Sequence, residues 1–173
     1  MRRSLRFLLM GFVVAALATT GAVSTLRAQT ESQIIPFTAV LNGGQEVPPN
    51  DSKASGTAFM TLDERTSMLS FSITYSDDRL SSLEVASHFH APAIPGANAP
   101  VAFGLVQIGS PKNGSVGPLT LSQKSDLKSG LFYINIHTTL FPGGELRGQV
   151  LPVGRDLTYT APEPVAPPPP PAP

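Results

Sequence analysis

From Ile35 onward, apolar and polar residues alternate with a period of two rather than 3.6. Phe37, Ala39 and Leu41 fall on one side of a first segment, which Asn42-Gly43-Gly44 and Pro48-Pro49-Asn50-Asp51 bring to an end. Ala58, Met60 and Leu62 share one side of Gly56 to Leu62, and Asp63-Glu64-Arg65-Thr66 reads as a turn. Leu69, Phe71, Ile73 and Tyr75 give the clearest alternation, closed by Asp77-Asp78. Further strands are predicted over Leu83 to His90, Val101 to Ile108, Leu131 to Thr138 and Glu145 to Val153, with Leu119 to Leu121 as a short addition. Proline and glycine clusters interrupt any helical period, and Ser122 to Ser129 fits a helix or a turn equally. Seven or eight short strands spaced in this way predict an all-β domain, an antiparallel Greek-key β-sandwich over residues 35–153.

The two ends follow other rules. Met1-Arg2-Arg3-Ser4-Leu5-Arg6 is basic, Phe7 to about Val23 is apolar, and Leu26-Arg27-Ala28 offers a cleavage site. Residues 1–28 therefore read as a secretory signal peptide and 29–34 as a linker. An uncleaved membrane anchor is the alternative, and the Arg2-Arg3 pair also permits a twin-arginine export route. Residues 154–173 form a proline-rich tail, with eight prolines from Pro162 to Pro173. Proline fixes φ and removes a donor, so this stretch should be extended polyproline II, acting as a stiff spacer or as a ligand for a proline-recognising groove.

Charge narrows the function classes. Removing Arg2, Arg3, Arg6 and Arg27 from the 12 basic residues leaves 8 against 12 acidic ones, about −4. No basic face for nucleic acid is available. The chain has no cysteine, which excludes disulfides, thiolate zinc sites, iron–sulfur clusters and cysteine nucleophiles. Together the signal and the missing cysteines imply an extracytoplasmic location: periplasm, cell envelope or medium.

Candidate chemistry rests on the three histidines. His88 and His90 flank Phe89, so in a strand both imidazoles share a face while Phe89, Val85 and Ser87 take the other. In Leu131 to Thr138, Phe132, Ile134 and Ile136 form an apolar face, and Leu131, Tyr133, Asn135 and His137 form the opposite one. If His137 comes close to His88 and His90, three imidazoles can hold one metal. Imidazole without carboxylate or thiolate favours copper(II), with zinc as second choice, and an open fourth position would allow catalysis. Otherwise His88 and His90 are half-exposed strand residues. Glu145, Arg147 and Gln149 face away from Leu146 and Val150. They form either a surface ladder of minor energetic weight or, through Arg147, a fixed cation that draws a small anion towards the metal. Other constellations are thin. There is no Gly-x-Ser-x-Gly elbow, the Gly-Gly pairs lack a following Lys-Ser/Thr, and Asp77-Asp78 lacks the spaced oxygens of a committed calcium site.

Several ordered motifs resemble one family. They are Phe37-Thr38-Ala39-Val40-Leu41-Asn42-Gly43-Gly44-Gln45-Glu46-Val47-Pro48-Pro49, Ser55-Gly56-Thr57-Ala58, and His88-Phe89-His90-Ala91-Pro92-Ala93 with Gly96 and Ala99-Pro100-Val101. Tyr133-Ile134-Asn135-Ile136-His137-Thr138 and Phe141-Pro142-Gly143-Gly144-Glu145-Leu146-Arg147-Gly148-Gln149 complete the set. The chain from Ile35 to about Leu151 is similar to the CHRD (chordin) domain in its single-domain secreted bacterial form, departing at Ala91, where glycine is usual. The resemblance implies an extracytoplasmic all-β module without settling its activity; it is consistent with a non-catalytic binding protein whose partner is an unidentified extracytoplasmic protein or a small anion. A looser similarity, His-x-His, a later strand-ending histidine and then an arginine, links the site to copper-zinc superoxide dismutases. It implies His88, His90 and His137 as copper ligands and Arg147 as the anion-guiding catalytic residue of a copper-only enzyme. The bridging histidine, the remaining zinc ligands and the disulfide cysteines of those enzymes have no counterparts here.

Overall fold

The computed structural model describes residues 33–154. The signal peptide expected over 1–28 and the tail expected from residue 154, apart from Gly154 itself, lie outside the described residues. The elements in order are β1 (Ile34–Asn42), β2 (Ser55–Asp63), β3 (Met68–Tyr75), β4 (Glu84–His90), β5 (Val101–Gly104) and β6 (Lys112–Val116). Helix α1 (Leu121–Lys128), β7 (Phe132–Thr138) and β8 (Leu146–Pro152) follow. Among the described residues no helix is long and apolar enough to cross a membrane.

The expected all-β architecture is realised as one antiparallel eight-stranded sheet in the order β5-β4-β7-β8-β1-β2-β3-β6. The sheet curls so that its two ends face each other. Phe71 of β3 meets Phe89 of β4 edge-on with ring centroids 5.7 Å apart. Lys112 of β6 reaches Glu84 of β4 at 2.7 Å, with the two side chains 0% and 4% exposed. β5 lies outside β4 at one edge and β6 adds to β3 at the other before β7 returns to pair with β4, which gives the topology its Greek-key character.

The core collects the inward positions that the alternation marks: Phe37, Ala39 and Leu41; Ala58, Met60 and Leu62; Leu69 and Ile73; Phe132, Ile134 and Ile136; Leu146 and Val150. β8 can lie tight against β1 because a Cβ at Gly148 would sit 2.8 Å from the Val40 carbonyl oxygen. A side chain there would drive the two strands apart.

Three local expectations are corrected, and one strand that the alternation does not mark is added. The strand predicted over Val101 to Ile108 stops at Gly104; Val106 is fully exposed and Ile108 is 58% exposed, so the chain leaves the sheet for a loop. β6 carries the sequence Lys-Asn-Gly-Ser-Val, which has no apolar alternation; its inward residue is Lys112, neutralised by Glu84. Leu119 to Leu121 is not a strand. Leu119 is buried as an anchor, and Thr120 caps α1 by accepting from the Gln123 amide while the Gln123 side chain accepts from the Thr120 amide. Finally, Val85 points outward, half exposed, because the β4–β7 register shifts between Glu84 and Ala86. This bulge sends the Glu84 side chain inward, where it also accepts from the Tyr75 hydroxyl and, at 2.7 Å, from the Gly109 amide.

Candidate metal centre

Beyond the bulge, β4 alternates regularly. Ser87 and Phe89 are buried in the core, so His88 and His90 stand on the opposite face. In the antiparallel pairing with β7, Ala86 lies opposite His137, His88 opposite Asn135 and His90 opposite Tyr133. On β8, Arg147 continues the Asn135 row and Gln149 the Tyr133 row. The outer face is therefore a grid of polar and aromatic side chains. The segment between β4 and β5 and the turn between β7 and β8 supply carbonyls to it.

The three histidines converge. His88 Nδ1 lies 3.0 Å from His137 Nε2, and one ligand nitrogen from each of His88, His90 and His137 falls within 4.8 Å of the others. Bonds of about 2.0–2.1 Å to a common ion need nitrogens about 3–3.5 Å apart, so small ring movements suffice. His90 is 8% exposed, and the other two rings are half-buried.

The surroundings set which nitrogens are free. His90 Nδ1 donates to the Ala99 carbonyl at 2.9 Å, and His137 Nδ1 donates to the Pro142 carbonyl at 2.9 Å. Each ring then carries its lone pair on Nε2. Both Nε2 atoms lie 3.0 Å from Asn135 Oδ1. Two ring lone pairs and an amide oxygen, with no proton between them, form an acceptor cluster that a cation satisfies. With its amide turned over, Asn135 can donate one N–H to each ring instead. A backbone carbonyl behind a ring nitrogen is also how metal-bound histidines are commonly oriented.

Electrostatics favour the neutral form of His88 and His137. Burial lowers the His88 pKa, and the neighbouring His137 and His90 add to the effect, against a hydrogen bond that the ring donates to Asn135. For His137, burial outweighs the Pro142 carbonyl, which favours the charged ring, and His90 reinforces the lowering. Neutral imidazole is the form that binds metal.

The Glu145, Arg147 and Gln149 row is not a surface ladder: the three are 0%, 1% and 7% exposed. Arg147 lies with its guanidinium carbon 3.5 Å from the Tyr133 ring centroid. It donates to Asn98 Oδ1 at 3.1 Å and to the Ala97 carbonyl at 2.7 Å. Tyr133 stacks in turn on His90, centroids 4.7 Å apart and planes 1° from parallel. The order across the sheet is guanidinium, phenol, imidazole, so Arg147 supports the site through Tyr133. Glu145 is held by Ser52, Ser81 and Thr138. Burial pushes its pKa up, but these hydrogen bonds outweigh it and the carboxyl sits below its ordinary value.

Strand parity placed Asn135 and Tyr133 on the histidine face but gave them no role. The signal was their i−2 and i−4 spacing from His137. The Ala99 and Pro142 carbonyls come from irregular segments and left no side-chain signal.

The curled all-β domain with a three-histidine cluster on one sheet face defines a small β module built around a candidate metal centre. The CHRD domain family model matches residues 37–150, most of the chain, and the protein belongs to that family. No curated protein and no solved structure matches the chain.

Proposed function

We propose that this CHRD domain is an extracytoplasmic, non-catalytic metal-binding module that holds one copper(II) ion through His88 Nδ1, His90 Nε2 and His137 Nε2. One observation carries the reading: three ring nitrogens converge within 4.8 Å, and two of the rings have their tautomer fixed by a backbone carbonyl so that Nε2 presents its lone pair. Copper(II) outranks zinc at a site of neutral nitrogen donors. Asn135 Oδ1 stands 3.0 Å from two of those nitrogens and offers a weak fourth contact or an orienting hydrogen bond. The family and the basic–apolar N-terminus support placement outside the cytoplasm.

A copper-only superoxide dismutase is the alternative class, and it calls on Arg147 as an anion guide. Arg147 is 1% exposed, with hydrogen bonds to Asn98 and Ala97 and its guanidinium against Tyr133. That placement favours the non-catalytic reading.

The test is a titration of the metal-free protein with copper(II) and, separately, zinc, followed by calorimetry and thermal melting. One equivalent of copper should bind. At a free concentration of about 100 Kd it should stabilise the fold by about 2.7 kcal/mol, by linkage to the native state. Alanine at any one histidine should abolish the stabilisation. An unchanged melting temperature with both metals would refute the proposal. Superoxide turnover by the copper-loaded protein would move it to the enzymatic class.

A further inference from the structure

The outer face of β1, β2 and β3 carries no charge. From Thr57 to Thr61 and from Ser70 to Thr74 every outward side chain is threonine, serine or phenylalanine, and Pro36, Thr38 and Val40 continue the face on β1. The register places Leu151, Thr38, Phe59 and Ser72 in one row across four strands. In the next row Pro36 lies opposite Thr61 and Thr61 opposite Ser70, and the Val153 amide donates to the Pro36 carbonyl at 3.0 Å. An open groove of about 370 Å³ runs along these rows, and its lining includes Pro36, Phe59, Thr61, Ser70, Ser72 and Val153. Phe59 is 65% exposed, the one exposed aromatic side chain among the described residues. An uncharged face with an aromatic at its centre marks an interaction surface.

The chain itself leads out of this groove. Val153 lines it, and the described residues end one position later, at Gly154. Phe59 stands two strands from Val153, about 10 Å away at about 4.8 Å per strand. Residues 155–161 span about 20 Å when extended at about 3.1 Å per residue, so Pro162 reaches Phe59 with chain to spare. Pro162 to Pro173 then brings eight prolines and a single charge, Glu163. The chemistry of the two surfaces matches. A polyproline II segment offers C–H faces and backbone carbonyls but few donors, and exposed aromatics take up such segments. Phe59 supplies the aromatic, and the hydroxyls of Thr61, Ser70 and Ser72 supply donors. The tether raises the local concentration of the segment to the millimolar range, so even a contact with a Kd of about 1 mM would be about half occupied or more.

We propose that the proline-rich segment Pro162–Pro173 docks back on the outer face of β1, β2 and β3, with its prolines over Phe59 and its carbonyls accepting from Thr61, Ser70 and Ser72. The contact uses none of the histidines and does not depend on the metal.

The absence of cysteine makes a single spin label simple to place. The experiment attaches a nitroxide to Ala172→Cys in the ¹⁵N-labelled full chain, without metal, and compares amide intensities before and after the label is reduced. A second sample has Pro167 to Pro171 each replaced by serine and gives the profile of an undocked tail. In the chain with its prolines, the amides of Thr38, Phe59, Thr61 and Ser72 should lose intensity well beyond that profile. Phe59→Ser should return them to it while moving the melting temperature by no more than about 2 °C, as at an exposed position. The serine replacement lies wholly in the tail and keeps the test decisive if Phe59→Ser misfolds. Equal profiles with and without the prolines would overturn the proposal, as would a loss centred on another face. Loss that persists when label and ¹⁵N are on different molecules would give the groove to another copy's tail and overturn docking within one chain. A dimer in sedimentation that Phe59→Ser dissolves and the serine replacement leaves intact would give the face to a second copy and overturn it too.

Discussion

Lys112→Met tests how the sheet is closed and how β4, the strand of His88 and His90, is anchored. Lys112 and Glu84 form an ion pair at 2.7 Å with side chains 0% and 4% exposed. Methionine matches the length of lysine but leaves the Glu84 carboxylate buried without its cation, and it removes the donor to the Gln107 carbonyl. Breaking a buried pair from one side costs about 3–5 kcal/mol. Tyr75 and Gly109 still donate to Glu84, so the lower end applies, about 3 kcal/mol. At about 4 °C per kcal/mol for a domain of this size, the melting temperature should fall by about 12 °C. Urea unfolding with an unchanged slope is the assay, since it separates lost stability from a changed denatured state. The double variant Lys112→Met with Glu84→Gln removes both charges and should recover to within about 1 kcal/mol of wild type. A single-variant loss below about 1 kcal/mol, or a double variant no better than the single, would refute a buried pair holding β6 against β4.

Three further outcomes are expected. Glu46 has its folded-state pKa raised from 4.5 to about 7. Its contribution to stability is present below about pH 4.5 and is lost as the pH rises through 7, by up to about 3 kcal/mol. Urea unfolding from pH 5 to 8 should show this loss relative to Glu46→Gln, and parallel pH profiles would contradict it. Gly144 has φ +132, and a Cβ there would collide with the Glu46 carboxylate. Gly144→Ala should therefore cost about 2 kcal/mol or more, while Gly143→Ala, with open space around its Cβ, should be near neutral in the same melts. Arg147→Lys should lose the stack on Tyr133 and one of two hydrogen bonds, costing about 1–3 kcal/mol in urea while leaving one copper per chain by calorimetry.

Strand parity explains how much of this was legible. A period of two assigns each residue of a regular strand to a face, so the opposition of Phe89 to His88 and His90, and of Ile134 and Ile136 to His137, could be read without coordinates. That β4 and β7 pair so that Ala86 meets His137 depends on register across 51 residues, which local pattern does not encode. Parity also fails at a bulge: one register shift reversed Val85 and Glu84. β6 was missed because its inward residue is a lysine made apolar in effect by a partner 28 residues earlier. Arg147 reads as a surface cation until the Ala97–Asn98 segment covers it, and coverage by an irregular loop leaves no periodic trace.

The central claim is that His88, His90 and His137 bind one ion together. The most direct measurement is electron paramagnetic resonance of the protein loaded with one equivalent of copper(II), comparing natural-abundance and ¹⁵N-histidine samples. Coupling to three imidazole nitrogens in wild type, falling to two in His137→Ala, is the predicted result. A wild-type spectrum showing one histidine nitrogen or none, or one unchanged by His137→Ala, would contradict the shared site.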